Sequence, residues 1–438
     1  MFDKRILLGY TDYKSRKEGN GMAQLRFSKP LERLELLRHM REDAQYDAAS
    51  ASDPVAACPP GFLSGGSRAK APLPKVPKVF LSNCCAFNCS YCGCRASNGD
   101  KIRYCNQPRE MARIAVDEAV RNRHGVFLTS AVYKNADYTE ELIVETLRYM
   151  REELHYPGYI HAKVMPGTDP FLIEKAGRYA NRLSVNIEVA KSEGYARIAK
   201  QKNRDNILSP MATISRLIQS TKQEKSRFKP SFATSQTTQL MAGSTGEDDR
   251  TILTLSHALY QKYHLGRVYY TAFQYRHPAA GYNLPLVSTP IWRVGRLYQA
   301  DRLLQLYGFT PDEILPPEHS NLSLDLDPKT DWALRNPHFF PVEINRAPYE
   351  TLVRVPGIGD VYAKRILQAR RLGSLDRNAL LRLGIPIRKC LYFITCAGLY
   401  EGGRMLDRPD ILRTRLAGAS APVYEQLCFE DCMPNSAV

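Results

Sequence analysis

Apolar runs and helical patterns alternate regularly between residues 76 and 308. Short runs rich in Val, Ile, Leu and aromatic residues predict strands, and apolar positions three and four residues apart predict a helix after each strand. The predicted strands are 76–82, 126–130, 159–165, 183–189, 237–242 and 267–273, and the predicted helices are 109–123, 139–154, 169–180, 209–221, 249–263 and 290–307.

Six strand-then-helix units predict an α/β fold in which a parallel sheet carries helices on its outside. Six units are too few for a closed barrel of eight, so the predicted fold is a partial (β/α)6 barrel of the TIM type over residues 76–308. The carboxyl ends of the strands are then the expected place for chemistry.

Less regular segments flank the predicted barrel. Residues 1–30 are polar and basic and predict a disordered tail, although Met22 is an alternative start of translation. Residues 31–75 combine a helix, predicted from apolar positions between Leu31 and Met40, with a linker rich in Ala, Ser, Gly and Pro. After the barrel, the sequence predicts a connector (309–340), an α-helical domain (341–400) and a C-terminal tail (401–438).

Composition narrows the class of protein. Apolar residues make up 44% of the 438 residues and charged residues 24%, which is ordinary for a globular protein. No apolar run reaches the length of about eighteen residues that spans a membrane, and no secretory signal is present, so we predict no membrane association. Eleven cysteines, several of them clustered, favour a reducing compartment, and the predicted location is cytoplasmic.

The chain is strongly basic. Lysine and arginine together number 61 against 45 acidic residues, which gives a formal net charge of +16. An excess of this size indicates a polyanionic partner, most simply nucleic acid. The alternative is a charge that only promotes solubility.

A compact cysteine motif follows the first predicted strand. Cys85, Cys89 and Cys92 stand at CxxxCxxC spacing in CAFNCSYC, with no fourth ligand at the spacing of a zinc site. Three thiolates on a 4Fe–4S cluster leave one iron open to an outside ligand. A zinc site that takes a ligand from Cys94 or Cys105 remains the alternative.

This spacing, with Tyr91 just before the last cysteine, resembles the signature of the radical S-adenosylmethionine enzymes. The resemblance implies a 4Fe–4S cluster whose open iron binds S-adenosylmethionine. It also implies that an electron donor such as flavodoxin or ferredoxin reduces the cluster, which then cleaves the cofactor to a 5′-deoxyadenosyl radical. Tyr91 is accordingly a predicted cofactor contact.

Other strand ends are similar to cofactor-binding positions of that family. Thr129 and Ser130, in FLTSAV, stand where the family carries a glycine-rich motif that contacts the amino group of the cofactor. Asn186 and Glu188, in SVNIEVA, alternate with apolar residues and are expected on one face, as ribose contacts or as a polar pair inside the barrel. Lys163 is a candidate contact for a carboxylate or phosphate.

A glycine-containing turn follows the fifth predicted strand. Gly243, Gly246 and Glu247 resemble the G…GE turn of several branches of the family, including branches that modify tRNA. Gly243 is therefore a candidate cofactor contact, because glycine permits close backbone approach. A plain strand-to-helix turn is the alternative.

The region after the connector carries a second motif. VPGIG, which contains Gly357, Ile358 and Gly359, lies between two helical patterns and closely resembles a helix-hairpin-helix DNA-binding motif. Backbone N–H groups at such a turn can hold a phosphate, and Lys364 and Arg365 add positive charge behind it. The alternative is a hairpin used only for packing.

Taken together, five stretches resemble the DNA modification or repair branch of the radical S-adenosylmethionine proteins. The stretches are LERLELLRHMREDAQYDAASAS, the cysteine loop, GYIHAKVMPG, RLSVNIEV and the VPGIG hairpin, within residues 31–400. The resemblance implies an enzyme that modifies or repairs nucleic acid, with DNA favoured, and a uracil-DNA-glycosylase-like partner. An RNA-modifying enzyme and a noncatalytic iron–sulfur DNA-binding component are the alternatives.

Overall fold

The computed structural model describes residues 32–44, 76–123, 125–223, 231–275 and 284–417. The predicted N-terminal tail, the predicted linker and the end of the C-terminal tail lie outside the described residues.

Six parallel strands form the main sheet in sequential order, from β1 to β6. Every neighbouring pair of strands is parallel, for instance Lys163 of β3 opposite Ser184 of β4 and Ser184 opposite Thr237 of β5. The predicted open parallel sheet is thus confirmed. Its strands are β1 Lys78–Phe80, β2 Val126–Thr129, β3 Ile160–Lys163, β4 Arg182–Ser184, β5 Ser235–Ala242 and β6 Arg267–Ala272.

A helix follows every strand, which gives the parallel connections of a partial barrel. Six predicted helices are present, a short additional helix, α5, follows β4, and one π-helical turn, Tyr149–Glu153, extends α3. The helices are α1 Arg33–Ala44, α2 Pro108–Asn122, α3 Ala136–Arg148, α4 Pro170–Tyr179, α5 Glu193–Ile198, α6 Arg204–Gln223, α7 Asp249–Tyr263 and α8 Ile291–Leu306.

Side-chain caps explain where several helices begin. Asn135 accepts a hydrogen bond from the Tyr138 N–H at the start of α3, and Asp169 accepts one from Phe171 at the start of α4. Asp248 caps α7 in the same way by accepting from Thr251. These short polar side chains satisfy N–H groups that have no partner within the helix.

The two faces of the sheet differ in polarity. Gln236 of β5 donates to the carbonyls of Met211 in α6 and Tyr263 in α7, so its side chain lies on the helix-covered face. Successive strand residues point to opposite faces, so Thr237 and its register neighbour Ser184 lie on the interior face. At the level of Ser184 and Thr237, the interior of the partial barrel is therefore lined by polar side chains.

Residues 309–340, predicted as a connector, carry two helices, α9 Pro311–Ile314 and α10 Pro328–Arg335. Trp332 is 4% exposed and makes edge contacts with Phe309, Phe339 and Phe340. This aromatic cluster continues the apolar core from the barrel toward the C-terminal part of the chain.

The C-terminal region contains short helices and one small sheet. The sheet was not predicted, because strands of two or three residues carry too few positions to show a period of two. The elements are β7 Val342–Glu343, α11 Tyr349–Leu352, α12 Asp360–Ala369, α13 Arg377–Arg382, α14 Ile387–Cys390, β8 Ile394–Cys396, β9 Leu399–Tyr400 and α15 Pro409–Ala417. Among the described residues, no helix is both long and apolar enough to cross a membrane.

Candidate metal centre and cofactor pocket

The cysteine loop lies at the carboxyl end of β1 and is fastened to the neighbouring strand ends. The N–H of Ala86 donates to the carbonyl of Val132, beyond β2, at 2.7 Å, and the N–H of Ser90 donates to Ile198, at the end of α5, at 2.9 Å. Cys85 is 9% exposed, Cys89 is 5% exposed and Cys92 is half-buried. The predicted position of the motif is confirmed, and its three side chains are largely withdrawn from water.

The three thiols influence one another electrostatically. Burial raises the pKa of Cys85 and raises the pKa of Cys89 to about 12, and Cys92 adds to both shifts. A hydrogen bond with the Cys94 thiol lowers the pKa of Cys92 to about 6. Metal binding would therefore have to displace protons from Cys85 and Cys89, whereas Cys92 already favours its thiolate.

The donor chemistry fits an iron–sulfur cluster, although the side chains are not yet gathered around a common point. In the described ranges, no group of three His, Cys, Asp or Glu residues is already arranged to hold a metal ion. The free thiol of Cys92 is hydrogen-bonded to that of Cys94, so this hydrogen bond must be replaced when Cys92 becomes a ligand. Three thiols on one short loop nevertheless match a cluster with one open iron better than a closed zinc site.

A buried ion pair lies beside the three thiols. The Lys202 ammonium is 3.0 Å from Glu188 Oε1 and 3.2 Å from the Tyr91 hydroxyl, and the side chains of Lys202 and Glu188 are 11% and 7% exposed. Burial opposes the charged form of Glu188, but Lys202 and then Lys163 hold its pKa below the usual value. Lys202 was not among the predicted site residues, since a single lysine in a loop after α5 shows no pattern.

Glu188 and Asn186 do come together, but the strand alternation that predicted this was wrong. The β4 strand ends at Ser184, and Glu188 adopts a left-handed backbone with φ of 64°. Asn186 hydrogen-bonds to the Glu188 carboxylate and helps to lower its pKa. A non-glycine residue at positive φ is strained, and strain of this kind concentrates at functional sites.

The other predicted cofactor residues are placed around the same strand ends. Thr129 is 1% exposed, and its hydroxyl has no hydrogen-bond partner among the described residues. The Ser130 hydroxyl donates to the Ala131 carbonyl at 2.8 Å, which leaves it less available. The positive charge of Lys163 helps to lower the pKa of Glu188. Thr129 and Lys163 are therefore better placed than Ser130 to serve a polar ligand.

The turn at Gly243 closes on its own chain. The Glu247 carboxylate accepts from the N–H groups of Gly243 at 2.6 Å and Thr245 at 3.1 Å. A side chain at Gly243, where φ is 81°, would collide with the Thr289 hydroxyl. The strand-to-helix turn by itself therefore accounts for the presence of Gly243 and Glu247. The cofactor contact predicted for Gly243 stays a prediction.

A second buried carboxylate ties both ends of the cysteine loop to α1. Asp43 is 5% exposed and accepts hydrogen bonds from Asn83 at 3.1 Å and from the Tyr104 hydroxyl at 2.9 Å. It also pairs with Lys101 at 2.5 Å, and the Cys94 sulfur lies 3.6 Å from its Oδ1. The predicted N-terminal helix thus packs against the barrel as a support for the loop.

Arg103 completes this support from the other side. Its guanidinium is buried and donates to the carbonyls of Asn83 at 2.7 Å and Cys94 at 2.9 Å, just before and just after the motif. Arg103 thereby joins the two ends of the loop. Its planar guanidinium donates to backbone carbonyls instead of to water. The loop is held in place before any metal binds.

The VPGIG turn joins α11 to α12 in the described structure. Gly357 has a φ of 84°, which glycine adopts without strain. The N–H groups of Gly357 and Gly359 have no hydrogen-bond partner within the described ranges. The N–H of Asp360, however, donates to the hydroxyl of Tyr307, next to α8, at 3.3 Å. The end of the turn therefore contacts Tyr307, next to the last barrel helix.

A buried lysine braces this turn from below. Lys329 of α10 is 8% exposed, and its Nζ donates to the carbonyls of Val353 at 2.9 Å and Ile358 at 2.6 Å. The predicted phosphate-binding residue Ile358 is itself completely buried. The basic residues behind the turn are exposed: Lys364 pairs with Asp360 at 2.8 Å, and Arg365 donates to the Leu383 carbonyl at 3.2 Å.

No family profile and no curated protein sequence matches the chain. Among solved structures, it is similar to the FeFe-hydrogenase maturase HydG from Carboxydothermus hydrogenoformans, at 17% identity and a TM-score of 0.39 over 52% of this chain and 51% of that one. It is also similar to methylornithine synthase (PylB), at 16% identity and a TM-score of 0.37 over 58% of this chain and 64% of that one. The chain thus spans less than two thirds of either protein, and likeness this slight does not transfer a function.

Proposed function

We propose that the protein is a radical S-adenosylmethionine enzyme whose cluster is held by Cys85, Cys89 and Cys92. The observation that carries the proposal is the position of three largely buried thiols on one short loop at the carboxyl end of a six-stranded parallel sheet. When bound, a 4Fe–4S cluster and S-adenosylmethionine supply a 5′-deoxyadenosyl radical that abstracts hydrogen from a substrate.

The chain's own residues would bind and orient the cofactor beside the loop. Asn186 and Glu188 offer an amide and a carboxylate that suit the ribose hydroxyls, and Tyr91 offers an aromatic face next to the last thiol. Asn186 and Glu188 are themselves buried, and withdrawal from bulk water strengthens their electrostatic interactions. An electron donor such as flavodoxin or ferredoxin is part of the same proposal.

Replacement of Cys85, Cys89 and Cys92 by alanine tests the cluster. The wild-type protein, reconstituted anaerobically, should hold about four irons. When supplied with a one-electron reductant, it should convert S-adenosylmethionine to 5′-deoxyadenosine. The triple variant should lose both properties. The matched control replaces Cys84, Cys94 and Cys105, one at a time, by serine, and each should retain iron. Stoichiometric zinc without iron in the wild-type protein would contradict the proposal and favour the zinc alternative.

We further propose that the substrate is nucleic acid, with DNA favoured over RNA. The N–H groups of Gly357 and Gly359 are available to a phosphate, and Lys364 and Arg365 lie exposed on the helix that begins there. The net charge of +16 supports the same class of partner. The uracil-DNA-glycosylase-like partner stays a prediction from the family resemblance.

Replacement of Lys364 and Arg365 by alanine tests the nucleic-acid surface. Both side chains would contribute through charge, so the double variant should bind every duplex sequence more weakly, with a salt dependence flatter by about one unit of slope per lost phosphate contact. Fluorescence anisotropy with a labelled duplex at several salt concentrations measures both effects. Tighter binding of tRNA than of duplex would instead favour the RNA-modifying alternative.

The matched control is the exposed basic pair Lys175 and Arg178 on α4, remote in sequence from the hairpin. Its replacement by alanine removes the same formal charge, so it should leave the duplex affinity and the salt slope nearly unchanged. Equal losses from the two pairs would show that binding depends on net charge alone, against a specific role for the hairpin.

A further inference from the structure

The ammonium group of Lys202 lies beside the cysteine loop. Its Nζ is 3.0 Å from Glu188 Oε1 and 3.2 Å from the Tyr91 hydroxyl, and its side chain is 11% exposed. Tyr91 immediately precedes the thiol of Cys92, so the ammonium contacts the loop itself. The contact joins a residue beyond α5 to the loop after β1, two segments that lie 111 positions apart in the chain.

The charges around Lys202 explain why it remains an ammonium. Glu188 is its ion-pair partner, and the thiols of Cys85, Cys89 and Cys92 all lie within its electrostatic reach. Lys163 acts on Glu188 from the neighbouring strand, and Asn186 bonds to the same carboxylate. Lys202 is thus a cation close to three potential thiolates, and the Glu188 carboxylate offsets part of its charge.

We propose that Lys202 is a charge-compensating residue that stabilises the reduced, more negatively charged form of the cluster on Cys85, Cys89 and Cys92. The inference rests on the proposed function. Reduction adds one electron from the external donor and forms or breaks no bond, so the negative charge at the loop rises by one. A cation in a buried, low-dielectric position favours that state more than an exposed one would.

Glu188 should affect the reduction of the cluster in the direction opposite to Lys202. Its carboxylate is bonded to the ammonium and partly cancels the field of the cation at the loop. Removal of the Lys202 charge should therefore make the cluster harder to reduce, whereas removal of the Glu188 charge should make it easier. A residue that served only packing would produce no such reversal.

The experiment measures the midpoint potential of the reconstituted cluster, without S-adenosylmethionine, by redox titration followed by the EPR signal of the reduced state. Lys202→Met should lower the potential by about 59 mV, which corresponds to a tenfold change in the reduced-to-oxidised ratio. Glu188→Gln should raise it, Lys202→Arg should leave it close to wild type, and the Lys202→Met/Glu188→Gln double variant should lie between the single variants. Lys200→Met, an exposed lysine two positions away, is the matched control and should show no shift.

Glu188→Gln keeps the test decisive if Lys202→Met takes up no iron, because it removes the opposing charge and leaves the ammonium in place. A wild-type potential in iron-loaded Glu188→Gln would overturn the inference. So would a loss of S-adenosylmethionine affinity in Lys202→Met with an unchanged potential, since that result assigns Lys202 to ligand binding. Absence of any cluster from the wild-type protein would instead overturn the proposed function.

Discussion

Lys202 lies at the barrel mouth, the strand ends beside the cysteine loop, and Lys329 lies at the hairpin base, below the VPGIG turn. Both side chains are largely buried, but the two ammonium groups have opposite surroundings. Burial opposes the charge of Lys202, but Glu188 and the thiols of Cys89 and Cys92 raise its pKa. Lys329 meets backbone carbonyls instead, and burial lowers its pKa to about 7, with Asp327 only partly opposing the shift. The barrel mouth therefore holds an ion pair, whereas the hairpin base holds a hydrogen-bond donor.

This difference separates the roles of the two regions. A buried ion pair costs desolvation energy and is kept where charge serves a purpose, such as binding or electron transfer. A lysine that bonds the carbonyls of Val353 and Ile358 braces a turn and needs no net charge to do so. This contrast agrees with the proposal that the cofactor is bound beside Lys202, whereas Lys329 supports the VPGIG turn.

The largest expected effect comes from breaking the ion pair at the barrel mouth. Lys202→Met leaves the Glu188 carboxylate buried without its cation, which should lower the free energy of unfolding by about 3–5 kcal/mol. Addition of Glu188→Gln should recover most of the loss, because the neutral amide needs no counter-charge. Denaturant titration of the iron-free protein measures all three variants.

The matched control for this change is Lys200→Met, in the same loop but exposed. Its unfolding free energy should stay within about 0.5 kcal/mol of wild type. If Lys202→Met were as mild as Lys200→Met, the two buried lysines would not differ in the way described, and the barrel mouth would not depend on a charged pair.

The second prediction concerns the pH dependence of the hairpin base. The pKa of Lys329 falls from 10.5 in the unfolded chain to about 7 in the folded protein, so the unfolded state binds more protons between these values. Its contribution to stability should therefore rise with pH across this window, by up to about 1.4 kcal/mol per pH unit. Lys329→Met, measured by denaturation at pH 7, 8 and 9, should lack this rise.

The difference between wild type and variant isolates Lys329 from the thiols and phenols that titrate in the same range. Asp327 and Lys389 are the charged groups that act on Lys329, and both are present in the two proteins. Parallel pH profiles would mean that Lys329 remains charged at pH 9, as Lys202 does, and would remove the contrast between the two regions.

Much of the fold could be predicted from the sequence, because six long periodic segments each repeat the same strand-then-helix pattern. The site was less accessible. The cysteines can be recognised by their spacing. Lys202 and Asp43 are single residues whose importance depends on contacts with distant segments. Glu188 was found for the wrong reason, since its backbone leaves the strand before the residue is reached.

The hairpin shows the opposite limitation. Its glycines are visible in the sequence, yet the surface that each one faces is not. Gly357 adopts a positive φ, as a tight turn requires, and a side chain there would lie 3.0 Å from the Lys389 Cβ. Gly359 has a φ of −99°, which any residue can adopt, so its need for glycine is steric. The sequence analysis predicted only that the N–H groups of this turn bind a phosphate, and it did not predict the contact with Tyr307.

The smallest expected effect decides what fills the space at Gly359. A Cβ there would lie 2.8 Å from the Tyr307 hydroxyl, so Gly359→Ala should lower the free energy of unfolding by about 1–2 kcal/mol through overpacking. Tyr307→Phe removes the oxygen that the new Cβ would meet, along with its 3.3 Å bond from the Asp360 N–H. The double variant should therefore lose less stability than the two single changes added together, by about 0.5 kcal/mol or more. Additive losses with an intact fold would show that the new Cβ does not meet the Tyr307 hydroxyl.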